Sequence, residues 1–353
     1  MMTTYTASVV GGGAGGRLSL NALAASDRFD VVAAADLRDD VRAKLNNEYP
    51  GIKTFQNHHE MFDNSPTDIV CVSTYAPSHE VVTLDALKLN LKGILVEKPL
   101  GHTSQSGRRI LSEIEARSLP MAVPHGLLAK RAPLEIIDRV RNGEIGALRL
   151  VEIQNQGWDI INAGIHWVNF FVALTANEAI ESVLCACDTS ARTFRDGMQV
   201  ETVGVTYAIT KSGVRLVMNT GDYIPVNAPG KDILFRIIGD AGQIEFWGWQ
   251  NEYRILNSKH PFGDLIVVAE FPVPAHQRHL ENMARMIDTG TPDYTIPRSS
   301  LLALEICEAA YLSAKRRSQV NFPFDFYSTT AGEDWAPGQP YNGVGGGRDG
   351  NKL

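Results

Sequence analysis

The stretch TASVVGGGAGGRLSLNALAA, residues 6–25, decides the fold. Thr6–Val10 is a short β-rich run that ends in Gly11-Gly12-Gly13-Ala14-Gly15-Gly16. Leu18, Leu20 and Leu23 then recur with a helical period. Strand, glycine turn and helix in this order put Gly11, Gly13 and Gly16 at Gly-x-Gly-x-x-Gly spacing. The first glycine permits the tight turn, the second lets a pyrophosphate approach backbone, and the third lets the helix pack on the strand. The helix N-terminus, with Ala14 and Gly15 beside it, offers N–H groups and a positive dipole end to phosphate. A glycine-rich turn is often only a turn, so the surrounding sequence must decide.

It does so with a second buried strand, Val31–Ala35, that ends in Asp36, twenty positions after Gly16. This is the usual offset of about 20 for the carboxylate that holds the adenosine ribose of NAD. A helix N-cap or a solvated turn is the plain alternative for Asp36. Arg38 stacks on adenine, meets a 2′-phosphate or faces water, so NADP stays open beside NAD. The alternation continues with a helix from Asp39 to Tyr49, a strand Asp68–Ser73, a helix Ser78–Leu89 and a strand Gly93–Val96. A helix Ser104–Ala116 and a strand Pro120–Val123 close the series. Such alternation implies a parallel sheet covered by helices on both faces. Ligands of such sheets lie outside the carboxyl ends of the strands, which singles out Ser73-Thr74-Tyr75, Glu97-Lys98-Pro99 and His125. A lysine there can hydrogen-bond a substrate hydroxyl and help remove its proton. A surface Glu-Lys-Pro turn explains the same residues equally well. His125 reads either as a substrate contact or as a structural histidine between domains.

Composition narrows the classes. The chain has 353 residues, 44% of them hydrophobic, and a formal net charge of −7. That length suggests two domains, because single cores stop growing near ~250–300 residues. Mild acidity argues against nucleic acid, whose phosphates need a basic surface. No apolar run approaches the ~20 residues of a membrane span, and the N-terminus carries no secretion signal, so the expected location is cytoplasmic. Cys71, Cys185, Cys187 and Cys307 are too few for a disulfide framework and read as buried thiols. Neither the cysteines nor His58-His59, His102, His260, His276 and His279 have a partner at metal-ligand spacing, so no metal is expected.

The chain resembles the Gfo/Idh/MocA family of oxidoreductases. The matching pieces are Val9-Val10-Gly11-Gly12-Gly13-Ala14-Gly15-Gly16, Ala35-Asp36, Val72-Ser73-Thr74 with Pro77-Ser78-His79, and Val96-Glu97-Lys98-Pro99-Leu100. Gly143-Glu144-Ile145-Gly146 and Gly164-Ile165-His166 follow in order. The resemblance implies an α/β Rossmann domain, then an α+β domain with a large, mostly antiparallel open sheet that mediates oligomers. It implies a nicotinamide cofactor contacted by Ser73, Thr74, His79, Glu97 and Lys98, and sugars, inositols or related polyols as substrates. It also implies that Lys98 and His166 act together on the reacting hydroxyl. The family's aspartate four before that histidine is Asn162 here. An amide orients imidazole or binds a hydroxyl, but it does not stabilise imidazolium as a carboxylate does. Asp159 lies seven before His166 and reads either as a partial substitute or as a helix N-cap. Trp158 reads as a sugar-stacking platform or as packing.

Beyond Gly146, eight β-rich runs between Leu148 and Phe271 sit at hairpin spacing. The expected domains are residues 1–125, 126–334 and a Gly-rich tail, 335–353, in which Arg348-Asp349-Gly350 docks on a neighbouring subunit. Apolar content on both sheet faces predicts a homodimer or homotetramer. The expected activity is hydride transfer between NAD(P) and a secondary alcohol or ketone of a sugar, cyclitol or glycoside. Two alternatives stay open: a lyase or glycosidase that recycles its NAD, and a non-catalytic NAD(P)-binding sensor.

Overall fold

The structure, a computed structural model, describes residues 3–188, 193–195, 198–226 and 228–324. The tail, with Arg348-Asp349-Gly350, lies outside the described residues. Two compact units form. The first runs to His125 and takes in Val273–Leu301; the second holds Gly126–Pro272 and the described chain after Leu301. Val273–Leu301, which the sequence reading assigned to the second domain, thus groups with the first unit.

In the first unit the strands are β1 (Tyr5–Val10), β2 (Phe29–Ala35), β3 (Lys53–Phe55), β4 (Ile69–Val72), β5 (Gly93–Val96) and β6 (Met121–Ala122). Among the described residues they form one parallel sheet in the order β3-β2-β1-β4-β5-β6. β4 and β5, Ile-Val-Cys-Val and Gly-Ile-Leu-Val, are buried at every position, as a strand covered on both faces must be. Alternate residues serve opposite cores. Val10, Val70, Val72, Ile94 and Val96 face one side with Ile110 and Ile114 of α5 (Ser104–Ala116), whose start is fixed by a Thr103/Ser106 capping box. Val9, Ile69, Cys71 and Leu95 face the other with Leu20 and Leu23 of α1 (Ala14–Ala24). Leu280, Met283 and Ala284 of the helix Ala275–Thr289 complete that second core.

In the second unit, among the described residues, nine strands form a mixed sheet. Seven neighbouring pairs are antiparallel, while Leu148–Gln156 and Arg215–Gly221 run parallel. The last expected run, Ile266–Phe271, is instead a strand at Asp264–Val267, and the edge strand Val320–Asn321 escaped the sequence reading. Val151, Ile153, Leu216, Met218, Phe235, Ile237 and Phe246 face the helix Ile165–Leu174, whose Trp167, Phe170 and Phe171 are fully buried. The opposite face is only partly apolar. Leu184, Tyr207 and Val217 lie in register with Glu152, Arg236, Glu245 and Arg254, a ladder of alternating charge. No helix among the described residues is long and apolar enough to cross a membrane.

Phe235 anchors this core. Its ring meets Trp167 at 5.7 Å, Phe170 at 5.4 Å and Phe246 at 5.7 Å between centroids. Phe235→Ala should destabilise the second unit by about 3–5 kcal/mol, the usual range for such a truncation. Urea unfolding followed by tryptophan fluorescence checks this, since Trp167 lies in the cluster.

Candidate active site

The glycine turn is built by exclusion. A Cβ on residue 16 would stand 1.8 Å from the Gly11 carbonyl oxygen, and one on residue 11 would stand 2.4 Å from the Ser73 oxygen. Gly11 also has φ +99°, which favours glycine. At Gly13 a Cβ would meet nothing within 4 Å, so this side of the loop is open. Gly13 is the N-cap of α1 and supplies no side-chain oxygen to its first turn. The amides there have no side-chain cap, and a pyrophosphate fits them by charge and by space. Asp36 accepts from Gly12 N through Oδ2 at 2.7 Å and from Arg38 N through Oδ1 at 2.9 Å. The carboxylate assigned to the ribose therefore also closes the loop. Arg38 keeps a half-exposed side chain with Nε 3.9 Å from Asp36 Oδ1.

The strand-end residues gather behind this loop. Glu97 is buried, and a Cβ on Gly15 would touch its carboxyl carbon at 3.4 Å. Glu97 Oε2 accepts from Lys98 N at 3.2 Å, and the Lys98-Pro99 peptide is cis. His79 has Nδ1 2.9 Å from Pro99 O and Nε2 2.9 Å from Thr74 O, which ties the turn after β5 to the turn after β4. Burial pushes His79 down to about 4, so the ring is neutral and donates to one carbonyl at a time. Ser73 N donates to Val10 O at 2.8 Å, and Thr74 Oγ1 accepts from Ser78 at 2.8 Å.

His276, read from sequence as a surface or core histidine with no partner at metal spacing, belongs to this group. Its Nε2 lies 3.0 Å from Ser19 Oγ, which lies 3.0 Å from Ser73 Oγ. Its Nδ1 is 3.9 Å from Glu97 Oε1. Burial first, and His279 second, push His276 down to about 3, so it faces Glu97 as a neutral dipole and not as an ion. Nothing near residue 276 in the sequence signals this. His125 is 1% exposed, with Nε2 2.8 Å from Ser300 Oγ and its carbonyl accepting from His279 at 3.0 Å. These bonds tie His125 to two residues of the first unit.

In the second unit Trp158 is half-exposed, while Asp159 and Asn162 are buried. Asp159 is an N-cap: its Oδ1 accepts from Ile161 N at 3.1 Å and Asn162 N at 2.7 Å. What reads as one helix through His166 is a π-helical turn, Ile160–Gly164, followed by the α-helix Ile165–Leu174. Asn162 and His166 are thus not held at regular α-helical spacing. π turns of this kind recur at functional sites. The His166 ring packs edge-on against Trp249, 5.4 Å between centroids, and Trp249 remains partly exposed. Trp249 sits in a loop whose reach toward His166 only folding reveals.

The sequence reading gave His58-His59 no partner, yet their ring nitrogens and an Asp85 oxygen lie within 4.8 Å of one another. Asp85 Oδ1 is already held by Lys88 Nζ at 2.6 Å, and Oδ2 by His58 at 3.0 Å. This makes the group a staple between His58–Asn64 and Ala76–Ala86.

A parallel sheet with an uncapped glycine turn opening α1 and Glu97-Lys98 at the end of β5 has the layout of a dinucleotide-binding domain. Residues 6–125 match the oxidoreductase family with an NAD-binding Rossmann fold (GFO_IDH_MocA). The resemblance read from sequence extends, over residues 6–125, to the NAD-binding Rossmann domain of that family. The chain is 24% identical over 328 residues to the rhizopine catabolism protein MocA of Rhizobium meliloti, across 88% of this chain and 95% of that protein. It is 30% identical over 121 residues to inositol 2-dehydrogenase of Klebsiella pneumoniae subsp. pneumoniae, across 33% of this chain and 35% of that one. Levoglucosan dehydrogenase in complex with NADH and levoglucosan has the same fold, with TM-score 0.76 at 16% identity, covering 91% of this chain and 100% of that one.

Gly16→Ala should lower NAD affinity roughly tenfold or more, since displacing the first turn of α1 by even one phosphate hydrogen bond is worth about 1.4 kcal/mol. Calorimetric titration with NAD reads this directly, and unchanged affinity would remove the steric argument.

Proposed function

We propose that the chain is an NAD(P)-dependent dehydrogenase acting on a secondary alcohol or ketone of a sugar, cyclitol or glycoside. One observation carries the reading. Glu97 packs against the glycine loop while Lys98 follows it at the end of β5, so the cofactor cradle and a proton-handling amine share one end of one sheet. The substrate class draws support from the inositol and levoglucosan dehydrogenases that the chain resembles.

Bound NAD(P) supplies the hydride acceptor or donor. Lys98 hydrogen-bonds the reacting oxygen and takes its proton on oxidation, returning it on reduction. His166 serves as a hydrogen-bond donor to substrate. Asn162, an amide, offers no charge to hold an imidazolium, so Lys98 and not His166 is the base. Trp158 and Trp249 are both partly exposed, and aromatic side chains of this kind bind sugar rings. Leu184 and Val205, both nearly half-exposed on the outer face of the sheet, support a homodimer or homotetramer through that face. The expected setting is cytoplasmic.

The test is NAD and NADP reduction against a panel of sugars, inositols and glycosides. Wild-type protein should turn over at least one class, and Lys98→Ala should lower kcat by roughly 10²–10⁴-fold, the usual worth of a positioned acid-base group, with NAD affinity retained. Wild-type protein that binds cofactor yet reduces none of it would overturn the reading.

A further inference from the structure

Several buried groups of the second unit that this chemistry does not use converge on the turn carrying Asn162. Glu201 and Cys307 have no exposure, and Asp159 and Tyr311 have 1% each. Glu201 Oε1 accepts from Ile160 N at 2.7 Å. Asp159 takes the next two amides, those of Ile161 and Asn162. Three successive N–H groups of the π turn therefore end on two carboxyl groups. Glu201 Oε2 lies 2.9 Å from the Tyr311 hydroxyl, and Cys307 Sγ lies 3.6 Å from Ile160 O. Among the described residues, the titratable groups facing Glu201 include Asp159 from the turn, Tyr311 and Cys307 from the helix Thr295–Arg316, and Cys187 from the strand Ile180–Asp188. None of these four is a cation. Two carboxyl groups so placed in a low dielectric do not both ionise.

We propose that Glu201 is a positioning residue: held as a neutral acid beside Asp159, it fixes the turn that presents Asn162 and His166 to substrate. The inference rests on the dehydrogenase reading for what the turn presents, but not for the protonation of Glu201. In the neutral acid one oxygen still accepts from Ile160 N, while the other donates to Tyr311. On ionisation Tyr311 becomes the donor, and like charge faces Asp159 across the turn. Burial first, and the Asp159 charge second, push the Glu201 carboxyl up from 4.5 to about 8. The folded protein therefore holds a proton that the unfolded chain releases above 4.5. Stability from this group is full below that value and is lost as pH rises through about 8.

Thermal unfolding of wild type and Glu201→Gln between about pH 5 and pH 9 tests the protonation without any substrate. The glutamine variant should gain on wild type as pH rises, with the gain levelling above the Glu201 value. A difference that is constant with pH would overturn the proposal. Cys185, whose thiol is pulled down by its contact with Cys187, titrates in both proteins and cancels. Should Glu201→Gln fail to fold, Tyr311→Phe decides: removing a donor to the ionised form should move the wild-type inflection to higher pH, and an unmoved inflection counts against the proposal. For positioning, Glu201→Ala should lower kcat by roughly 10²-fold, the loss expected from a displaced reacting geometry, with NAD affinity unchanged. Glu201→Gln should restore kcat and hold it above pH values where wild type declines. Equal loss in both variants would overturn the positioning role. A wild type that turns over no substrate marks failure of the dehydrogenase reading alone, and the unfolding comparison still decides the state of Glu201.

Discussion

The contact between the Gly11 carbonyl and the α-carbon face of Gly16 is the constraint on which the first unit rests. A methyl group does not fit between them. Because it is absent, α1 starts directly above the end of β1 and turns its uncapped amides outward. The same start brings Gly15 against Glu97, and Glu97 in turn accepts from the backbone of Lys98. One missing side chain therefore sets both the phosphate cradle and the position of the amine. Electrostatics then follows sterics. Asp36 completes the loop through Gly12 N, so the carboxylate expected to meet the ribose also shapes the glycine turn.

The rest of the first unit depends on a segment that arrives late in the chain. Leu280, Met283 and Ala284 fill the core beside α1, and His276 reaches Ser19 from the same helix. Burial keeps His276, His279 and His79 neutral, so three imidazoles serve as hydrogen-bonding spacers around Glu97 and the strand-end turns. Neutral rings suit a site where a negative cofactor and a carboxylate already set the charge, since they add donors without adding ions.

Local pattern made the strands and the cradle legible. The Ile-Val-Cys-Val and Gly-Ile-Leu-Val runs admit no solvated face, and Asp36 lies at the offset the ribose requires. Long-range pairing was not legible. The amphipathic helix Ala275–Thr289 announces that it packs, but no periodicity names the sheet it packs on. Lys53–Phe55 and Val320–Asn321, three and two residues long, are too short to show a period at all. His166 was singled out by the resemblance and Asp159 by its spacing from it, yet the π turn between them is held by Glu201, 41 residues beyond Ile160 in sequence. Apolar content likewise suggested two greasy sheet faces, while register places Glu152, Arg236, Glu245 and Arg254 side by side on the outer one.

That π turn also gives a physical account of the amide at position 162. Asn162 is 3% exposed and its backbone N–H is already given to Asp159. Asp159 and Glu201 already put two carboxyl groups on one turn, and burial pushes the Glu201 carboxyl up. An aspartate at 162 would add a third buried carboxyl group to the same turn, at the cost of desolvating its charge. An amide keeps the hydrogen-bonding reach without the charge. The departure from the family pattern and the buried acid are then two sides of one electrostatic balance. With an amide at 162 the chain keeps a turn whose three leading amides are all satisfied from within the unit.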